Sequence, residues 1–275
     1  MSTPSLLSRR QDAQGFSLVE LAIVLVIIGL IISSVLVGQD IIRAAELRSI
    51  TAQYNDVRTG YQTFATRYQN KIPGDISNSA SFGLTPTNCD SSAIGLGNGD
   101  GLIQDADNSD GAKETFDGEV GCFWMHLSET HLIAGSFDGY ESTTPSATVN
   151  NVIDENMPRV KARASGWGVY TALNRNFLVA GVTGAQADDA YDTTATFAPR
   201  DAADIDSKID DGMPYTGSVR ARDPGTSDPD TYVSDGSVTA CHLEGADSAD
   251  ATSDDVYSLA LDAPGCTLIF ELPTI

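Results

Sequence analysis

The feature that most constrains this chain is an uninterrupted apolar stretch close to its N-terminus. No residue from 21 to 37 is charged, and the apolar stretch that begins at Phe16 is 22 residues long. A helix needs about 20 such residues to cross a membrane. A secretory signal would have a shorter apolar region followed by a cleavage site of small residues, whereas this stretch continues directly into helix-forming sequence. The sequence therefore predicts a membrane-spanning helix.

The charges on the two sides of this stretch predict its orientation. Arg9 and Arg10 precede it, and acidic sequence dominates after it. The whole chain has 38 Asp and Glu against 16 Lys and Arg, which gives a net charge of −22. Because positively charged flanks stay on the cytoplasmic side, the N-terminus is predicted to be cytoplasmic and the bulk of the chain extracytoplasmic.

The strong negative charge also excludes several classes of function. Recognition of nucleic-acid phosphates needs a basic surface, so direct nucleic-acid binding is not expected. Three His and four Cys leave little material for a metalloenzyme. Carboxylate pairs are too common here to be interpreted as catalytic acids and bases, and no nucleophile arrangement or phosphate-binding loop is recognisable. The sequence therefore predicts that the protein is not an enzyme.

Glu20 does not fit a plain membrane anchor. It lies within the apolar stretch, four residues after Phe16. An unpaired carboxylate in hydrocarbon is costly and needs a partner or access to water. Two interpretations follow. Glu20 reaches the cytoplasmic interface, or it pairs with a new N-terminal amine that is formed by cleavage before Phe16.

The same residues resemble the N-terminal signal of a known family. The sequence GFSLVE at residues 15–20, with a basic segment before it and the apolar stretch after it, is similar to the type III signal of type IV pilins and type II secretion pseudopilins. The resemblance implies that a prepilin peptidase cuts after Gly15 and N-methylates Phe16. It also implies that Glu20 pairs with the N-terminus of a neighbouring subunit during assembly.

The resemblance further implies partners and a location. The expected partners are the prepilin peptidase, other pilin or pseudopilin subunits that bind through the N-terminal helix, and the assembly platform of the bacterial inner membrane. The precursor would cross that membrane once, with its head in the periplasm. The assembled subunit would lie in an extracytoplasmic filament.

An amphipathic pattern continues the helix beyond the apolar stretch. Apolar residues recur at alternating spacings of three and four, which is typical of one stripe on a helix. Pro73 and Gly74 are expected to stop the helix. The stripe consists of Leu47, Ile50, Tyr54, Val57, Tyr61, Phe64 and Tyr68.

The remainder of the chain is predicted to be a pilin-like α+β head. Strand-like runs occur within 159–183, 217–222, 230–243 and 256–272. Together with the stripe, they predict a long N-terminal helix whose C-terminal half packs on a loop-rich antiparallel sheet. The expected division is a leader peptide at 1–15, a long helix at 16–71 with a transmembrane half at 16–38 and an amphipathic half at 39–71, and an extracytoplasmic globular head at 72–275.

Local patterns place further features in the head. Residues 113–133 are helical in part, and Pro199 opens a short helix that ends at Gly212. The segments KIPGDI at 71–76 and DIDSKIDDG at 204–212 are similar to blocks found in a subset of prepilin-like proteins. These blocks indicate no biochemical activity.

The cysteines all follow the apolar stretch, and an even number in an extracytoplasmic domain predicts two disulfides. Three pairings are possible. We favour Cys89–Cys122 and Cys241–Cys266, because each closes a modest loop within one region. The second pair would resemble the C-terminal disulfide loop of many pilins.

The acidic loop at 98–110 is a candidate calcium site. An EF-hand pattern is partly present, but Leu96 would occupy its first ligand position, so a regular EF-hand fails. A looser calcium site and a solvated acidic loop are the two interpretations, and major pseudopilins, which the chain resembles, also hold calcium in an acidic loop. The candidate ligands are Asn98, Asp100, Asp105, Asp107 and Asp110.

The sequence thus favours a structural subunit that assembles through its apolar helix into a type IV pilus or a type II secretion pseudopilus. The alternative is a minor or tip pilin whose head is a binding module for a surface or a secreted substrate. A membrane-anchored enzyme is a third class, and no group of residues supports it.

Overall fold

A computed structural model describes residues 17–84, 97–104, 118–138, 152–172, 174–183, 193–222, 241–243 and 256–275. The chain forms two compact units, one ending at Ala45 and the other beginning at Glu46. The division into leader, helix and head stays a prediction.

The N-terminal helix, α1, is Leu18–Arg67, close to the predicted limits. It ends before the predicted breakers, because Gln69 and Asn70 adopt left-handed backbone angles, with φ of 58° and 61°. The amide of Asn70 donates to the carbonyl of Ala65 at 2.8 Å and closes the last turn.

The predicted stripe of α1 faces the core of the second unit. Six of its seven residues are buried, and the seventh, Tyr68, is partly buried against the same core. Tyr54 stacks on Phe270 with ring centroids 4.7 Å apart, and the rings of Tyr61 and Phe123 lie 6.3 Å apart. These aromatic contacts attach the second half of α1 to the sheet and to the helix described next.

In the described part of the second unit there are two further helices, α2 at Gly118–Glu129 and α3 at Pro199–Ile209, and a short 3-10 helix at Ser79–Phe82. Pro199 opens α3 as predicted. The helix ends at Ile209 instead of Gly212, because Asp210 leaves the helical backbone angles. Ile205 is buried and Ile209 is partly buried against the core.

The main sheet has four antiparallel strands in the order β1-β2-β6-β3. They are β1 at Gly166–Ala172, β2 at Arg175–Val182, β3 at Val219–Arg222 and β6 at Thr267–Glu271. β1 is buried along its whole length, and β2 is buried apart from Arg175. Both strands are therefore covered on both faces.

A second, two-stranded sheet pairs β4 at His242–Leu243 with β5 at Val256–Tyr257. The predicted strand-like stretch at 256–272 is thus two strands, β5 and β6, which belong to different sheets. Residues 230–240 of another predicted strand lie outside the described residues. The α+β prediction, with a long apolar helix before an antiparallel sheet, is confirmed.

Candidate functional site

The first functional region is the start of α1, where Ser17 and Glu20 bond each other. The amide of Ser17 donates to Oε2 of Glu20 at 2.8 Å, and the amide of Glu20 donates to Oγ of Ser17 at 3.3 Å. This reciprocal pair is a capping box, which satisfies two amides that a helix N-terminus leaves without partners. Gly15 and Phe16, the predicted processing residues, lie outside the described residues.

The first half of α1 exposes its apolar side chains. Every large apolar residue from Leu18 to Ile42 is exposed. Within the part of the chain that the structure describes, α1 is the helix long and apolar enough to cross a membrane. An exposed apolar surface of this size marks a membrane or protein interaction site.

The two hydroxyls within this apolar surface are satisfied inside the helix. Ser33 donates to the carbonyl of Gly29 at 2.9 Å, and Ser34 donates to the carbonyl of Leu30 at 2.8 Å. Polar groups in hydrocarbon must find partners within the protein. These two hydroxyls therefore do not oppose the burial of the first half of α1 in an apolar environment.

Comparison with protein families decides what this region is. Residues 10–36 match the family described as the prokaryotic N-terminal methylation motif. The chain carries the type IV pilin and pseudopilin signal. No curated protein and no solved structure matches the chain.

The signal supports a type IV pilin-like precursor. It implies processing by a prepilin peptidase and assembly with other pilins, and it marks structural subunits, which are not enzymes. The apolar half of α1 is compatible with the membrane anchor of such a precursor.

The second unit contains a polar cluster that the sequence did not predict. Asp75 and Glu119, which are 1% and 2% exposed, bind the backbone of the loop at 97–104. Oδ1 of Asp75 accepts the amide of Gly99, and Oδ2 accepts the amide of Gly101 at 2.7 Å. In the sequence, the segment PGD at 73–75 indicates a helix stop and belongs to a family block, and neither signal predicts a buried carboxylate.

Glu119 holds the two ends of the same loop. Its Oε1 accepts the amide of Asn98 at 3.2 Å, and its Oε2 accepts the amide of Gln104 at 2.8 Å. Asn176 of β2 completes the attachment by accepting from the amide of Ile103 at 2.9 Å. The carboxylates are engaged by backbone donors, so this cluster fixes a loop.

Burial perturbs both carboxylates. Desolvation raises the pKa of Glu119 to about 8, although hydrogen bonds from Gln104 and Asn98 act against this rise. Desolvation also raises the pKa of Asp75, against the amides of Gly101 and Gly99. Charge repulsion from Asp75 and Asp100 raises the pKa of Glu119 further, and repulsion from Asp100 raises the pKa of Asp75.

His126 of α2 supports the turn that precedes Asp75. The amide of Gly74 donates to Nδ1 of His126 at 2.9 Å, and the histidine is fully buried. The acceptor role requires a neutral ring. Burial lowers the pKa of His126 to about 4, which keeps the ring neutral near pH 7.

The predicted calcium loop is described only in part. Asn98 donates to Oδ2 of Asp100 at 2.9 Å, and the amide of Leu102 donates to Oδ1 of Asp100 at 2.9 Å. These side chains bond within the loop. Asp105, Asp107 and Asp110 lie outside the described residues, so the calcium site at 98–110 stays a prediction.

The structure contains a disulfide between Cys241 and Cys266, one of the two favoured pairs. It connects the start of the two-stranded sheet to the start of β6. Cys122 is also engaged in a disulfide, and Cys89, its expected partner, lies outside the described residues.

Proposed function

We propose that this protein is a prepilin-like structural subunit that is cut after Gly15, N-methylated at Phe16, and assembled through α1 into a type IV pilus or a type II secretion pseudopilus. The main support for the proposal is that two features occupy the same part of the chain. The methylation motif at residues 10–36 overlaps the part of α1 whose apolar side chains are exposed.

The proposed topology has a cytoplasmic N-terminus and a periplasmic head. Arg9 and Arg10 precede the apolar stretch, which favours their retention in the cytoplasm. The disulfide between Cys241 and Cys266 favours an oxidising compartment for the head. The bacterial inner membrane is therefore the proposed location of the precursor.

The apolar half of α1 has two successive environments in this proposal. In the precursor its exposed side chains are covered by lipid, and in the filament they are covered by the helices of neighbouring subunits. Both states keep the surface out of water, so the transfer does not expose it to solvent. The assembly platform would carry out that transfer.

Glu20 supplies the specific contact between subunits. In the capping box its carboxylate accepts the neutral amide of Ser17. The methylated amine that cleavage creates at Phe16 is a cation, and a charge-assisted hydrogen bond to it is about twice as strong as a neutral one. Exchange of the neutral donor for a neighbour's amine would set the axial register of the filament.

Filament isolation tests this proposal. Sheared surface filaments, or the pseudopilus fraction, would be collected from the native bacterium and from a strain that lacks the prepilin peptidase. We expect the processed chain in the filament fraction of the first strain and its absence from that of the second. Its absence from the filament fractions of both strains would contradict assembly.

The amount of the chain in the same fractions distinguishes a principal subunit from a minor or tip subunit. A principal subunit dominates the filament mass. A minor or tip subunit, whose head would be a binding module, is present at a few copies per filament.

A further inference from the structure

Three carboxylates converge where α3 ends. Asp206 belongs to the last turn of α3, and Asp210 and Asp211 follow its final residue. One carboxylate oxygen from each lies within 4.8 Å of the others. Residues four apart share a face of a helix, and the amide of Asp210 still donates to the carbonyl of Asp206 at 2.7 Å. The backbone thus holds these side chains together.

Asp206 has a polar atom for which the described residues provide no partner. Its side chain is 0% exposed. Oδ2 accepts a hydrogen bond from the hydroxyl of Tyr257 at 2.8 Å, and the backbone amide of Gly212 also interacts with the carboxylate. Oδ1 is buried and accepts no hydrogen bond of ordinary geometry from the described residues. Leaving a buried acceptor unsatisfied is costly, so such an atom indicates a water or an ion that completes the site.

The other two carboxylates are oriented by donors of the following loop. Oδ2 of Asp210 accepts the amides of Ser218 and Val219, the second at 3.3 Å. Asp211 accepts the amide of Met213 at 2.9 Å and the hydroxyl of Thr216 at 2.5 Å. A carboxylate has about four acceptor positions, so these bonds leave capacity for a further ligand.

Ion pairs within the described part of the chain do not balance the charge of the cluster. Among the described residues, no Lys or Arg forms an ion pair with Asp206, Asp210 or Asp211. The cluster also lies at the C-terminal end of α3, where the helix dipole is negative and favours a cation. The negative charge of the cluster and the unsatisfied oxygen both favour a cation as the ligand.

We propose that Asp206, Asp210 and Asp211 bind a calcium ion, a site outside the loop at 98–110. Calcium prefers carboxylate oxygens at 2.3–2.6 Å, so oxygens on opposite sides of one ion are about 4.6–5.2 Å apart. The three oxygens are at most 4.8 Å apart and are therefore close enough to bind one ion. A partly exposed site whose carboxylates are already held by other hydrogen bonds suits calcium, which tolerates flexible geometry, better than magnesium, which requires nearly ideal octahedral geometry.

Calcium would connect three elements of the head. Asp206 carries the bond to Tyr257 in β5, and Asp210 carries the bonds to the start of β3. A bound ion would therefore fix the end of α3 against both sheets. Because an ion that binds only the folded state stabilises it, calcium is expected to raise the unfolding temperature.

The test measures calcium binding by the full chain in detergent after treatment with a chelator. Equilibrium dialysis with radioactive calcium gives the number of sites and their affinity. The variants are Asp206→Asn, which keeps an acceptor for Tyr257, and Asp211→Asn, which changes an exposed member of the cluster. Asp204→Asn is the matched control, because it removes the same charge from the exposed face of the same helix.

We expect a saturable site whose affinity falls at least tenfold in Asp206→Asn and in Asp211→Asn and is unchanged in Asp204→Asn and in Asp100→Asn. We also expect calcium to raise the unfolding temperature of the unaltered chain and of Asp204→Asn alone. If Asp206→Asn fails to fold, Asp211→Asn decides the result. Absence of saturable binding below millimolar calcium would overturn the proposal, as would binding that is lost in Asp100→Asn but retained in Asp211→Asn.

Discussion

Ser17 and Glu20 hydrogen-bond each other at the start of α1, each through its amide and the other's side chain. The pair gives the carboxylate a partner within the precursor. It therefore explains how an acidic residue can lie at the edge of an apolar helix before any neighbouring subunit is available. The proposed assembly step replaces this neutral donor by an amine.

Substitution of Glu20 separates processing from assembly. We expect Glu20→Ala to be cleaved normally and to enter filaments at least tenfold less than the unaltered chain, because the amine of the neighbour loses its acceptor. Ser17→Ala is the matched control, since it removes the capping hydroxyl and keeps the carboxylate. Quantitative immunoblots of membranes and sheared filaments measure both steps, and efficient incorporation of Glu20→Ala would contradict the role of Glu20.

Gly74 tests the packing of the turn against α2. Its φ is +91°, and a Cβ at this position would collide with the backbone carbonyl of Glu119. Gly83 also has a positive φ, of +74°, but a Cβ there would meet open space. We expect Gly83→Ala to cost about 1–2 kcal/mol, the usual penalty for left-handed backbone, and Gly74→Ala to cost clearly more.

Denaturant titration of both variants in the full chain gives the comparison. Equal losses for the two glycines would show that the turn and α2 are not in close contact. Both variants lose stability because an alanine must adopt a left-handed backbone. The difference between their free energies of unfolding therefore measures the effect of the collision at Gly74.

The buried carboxylates predict that stability depends on pH. The pKa of Glu119 is raised from 4.5 to about 8 by burial, so the folded chain retains a proton that the unfolded chain releases. The stabilisation is complete below pH 4.5 and is lost as the pH rises through about 8. A single such group changes the free energy of unfolding by at most about 1.4 kcal/mol per pH unit.

His126 changes stability in the opposite direction. Its pKa is lowered from 6.5 to about 4, so its contribution is complete above pH 6.5 and is lost as the pH falls through about 4. The window from pH 6.5 to 8 therefore isolates the carboxylates from His126. Unfolding measured across this window should show a smaller slope for Glu119→Gln than for the unaltered chain. Equal slopes would mean that Glu119 is ionised in the folded state.

The disulfide between Cys241 and Cys266 is expected to stabilise the head. The two residues are 25 apart in sequence, and closing a loop of this length contributes about 3 kcal/mol in the loop-entropy model. The double variant with Cys241→Ala and Cys266→Ala should therefore have a lower denaturant midpoint than the unaltered chain. A reducing agent should lower the midpoint of the unaltered chain more than that of the double variant. An unchanged midpoint in the double variant would show that the bond adds no stability.

Local patterns carried most of what the sequence could predict. The stripe of α1 is visible because helical periodicity relates residues three and four apart, and Pro199 marks the start of α3 directly. The exact end of α1 was not predictable from the breakers, because Gln69 and Asn70 turn the chain first.

The polar clusters were not predictable, because they depend on contacts between distant residues. Asp75 binds amides 24 and 26 residues away, and Asp206 meets Tyr257 across 51 residues. A carboxylate that will bind a loop has the same sequence signal as one exposed to solvent. In a chain with 38 acidic residues, only the fold distinguishes the buried ones.

The mass of the N-terminal peptide is the most direct test of whether the prepilin pathway processes this chain. The protein would be purified from its native membranes, digested, and analysed by mass spectrometry. We expect a mature chain that begins at N-methylated Phe16. A chain that retains residues 1–15 in a strain with an active prepilin peptidase would contradict it.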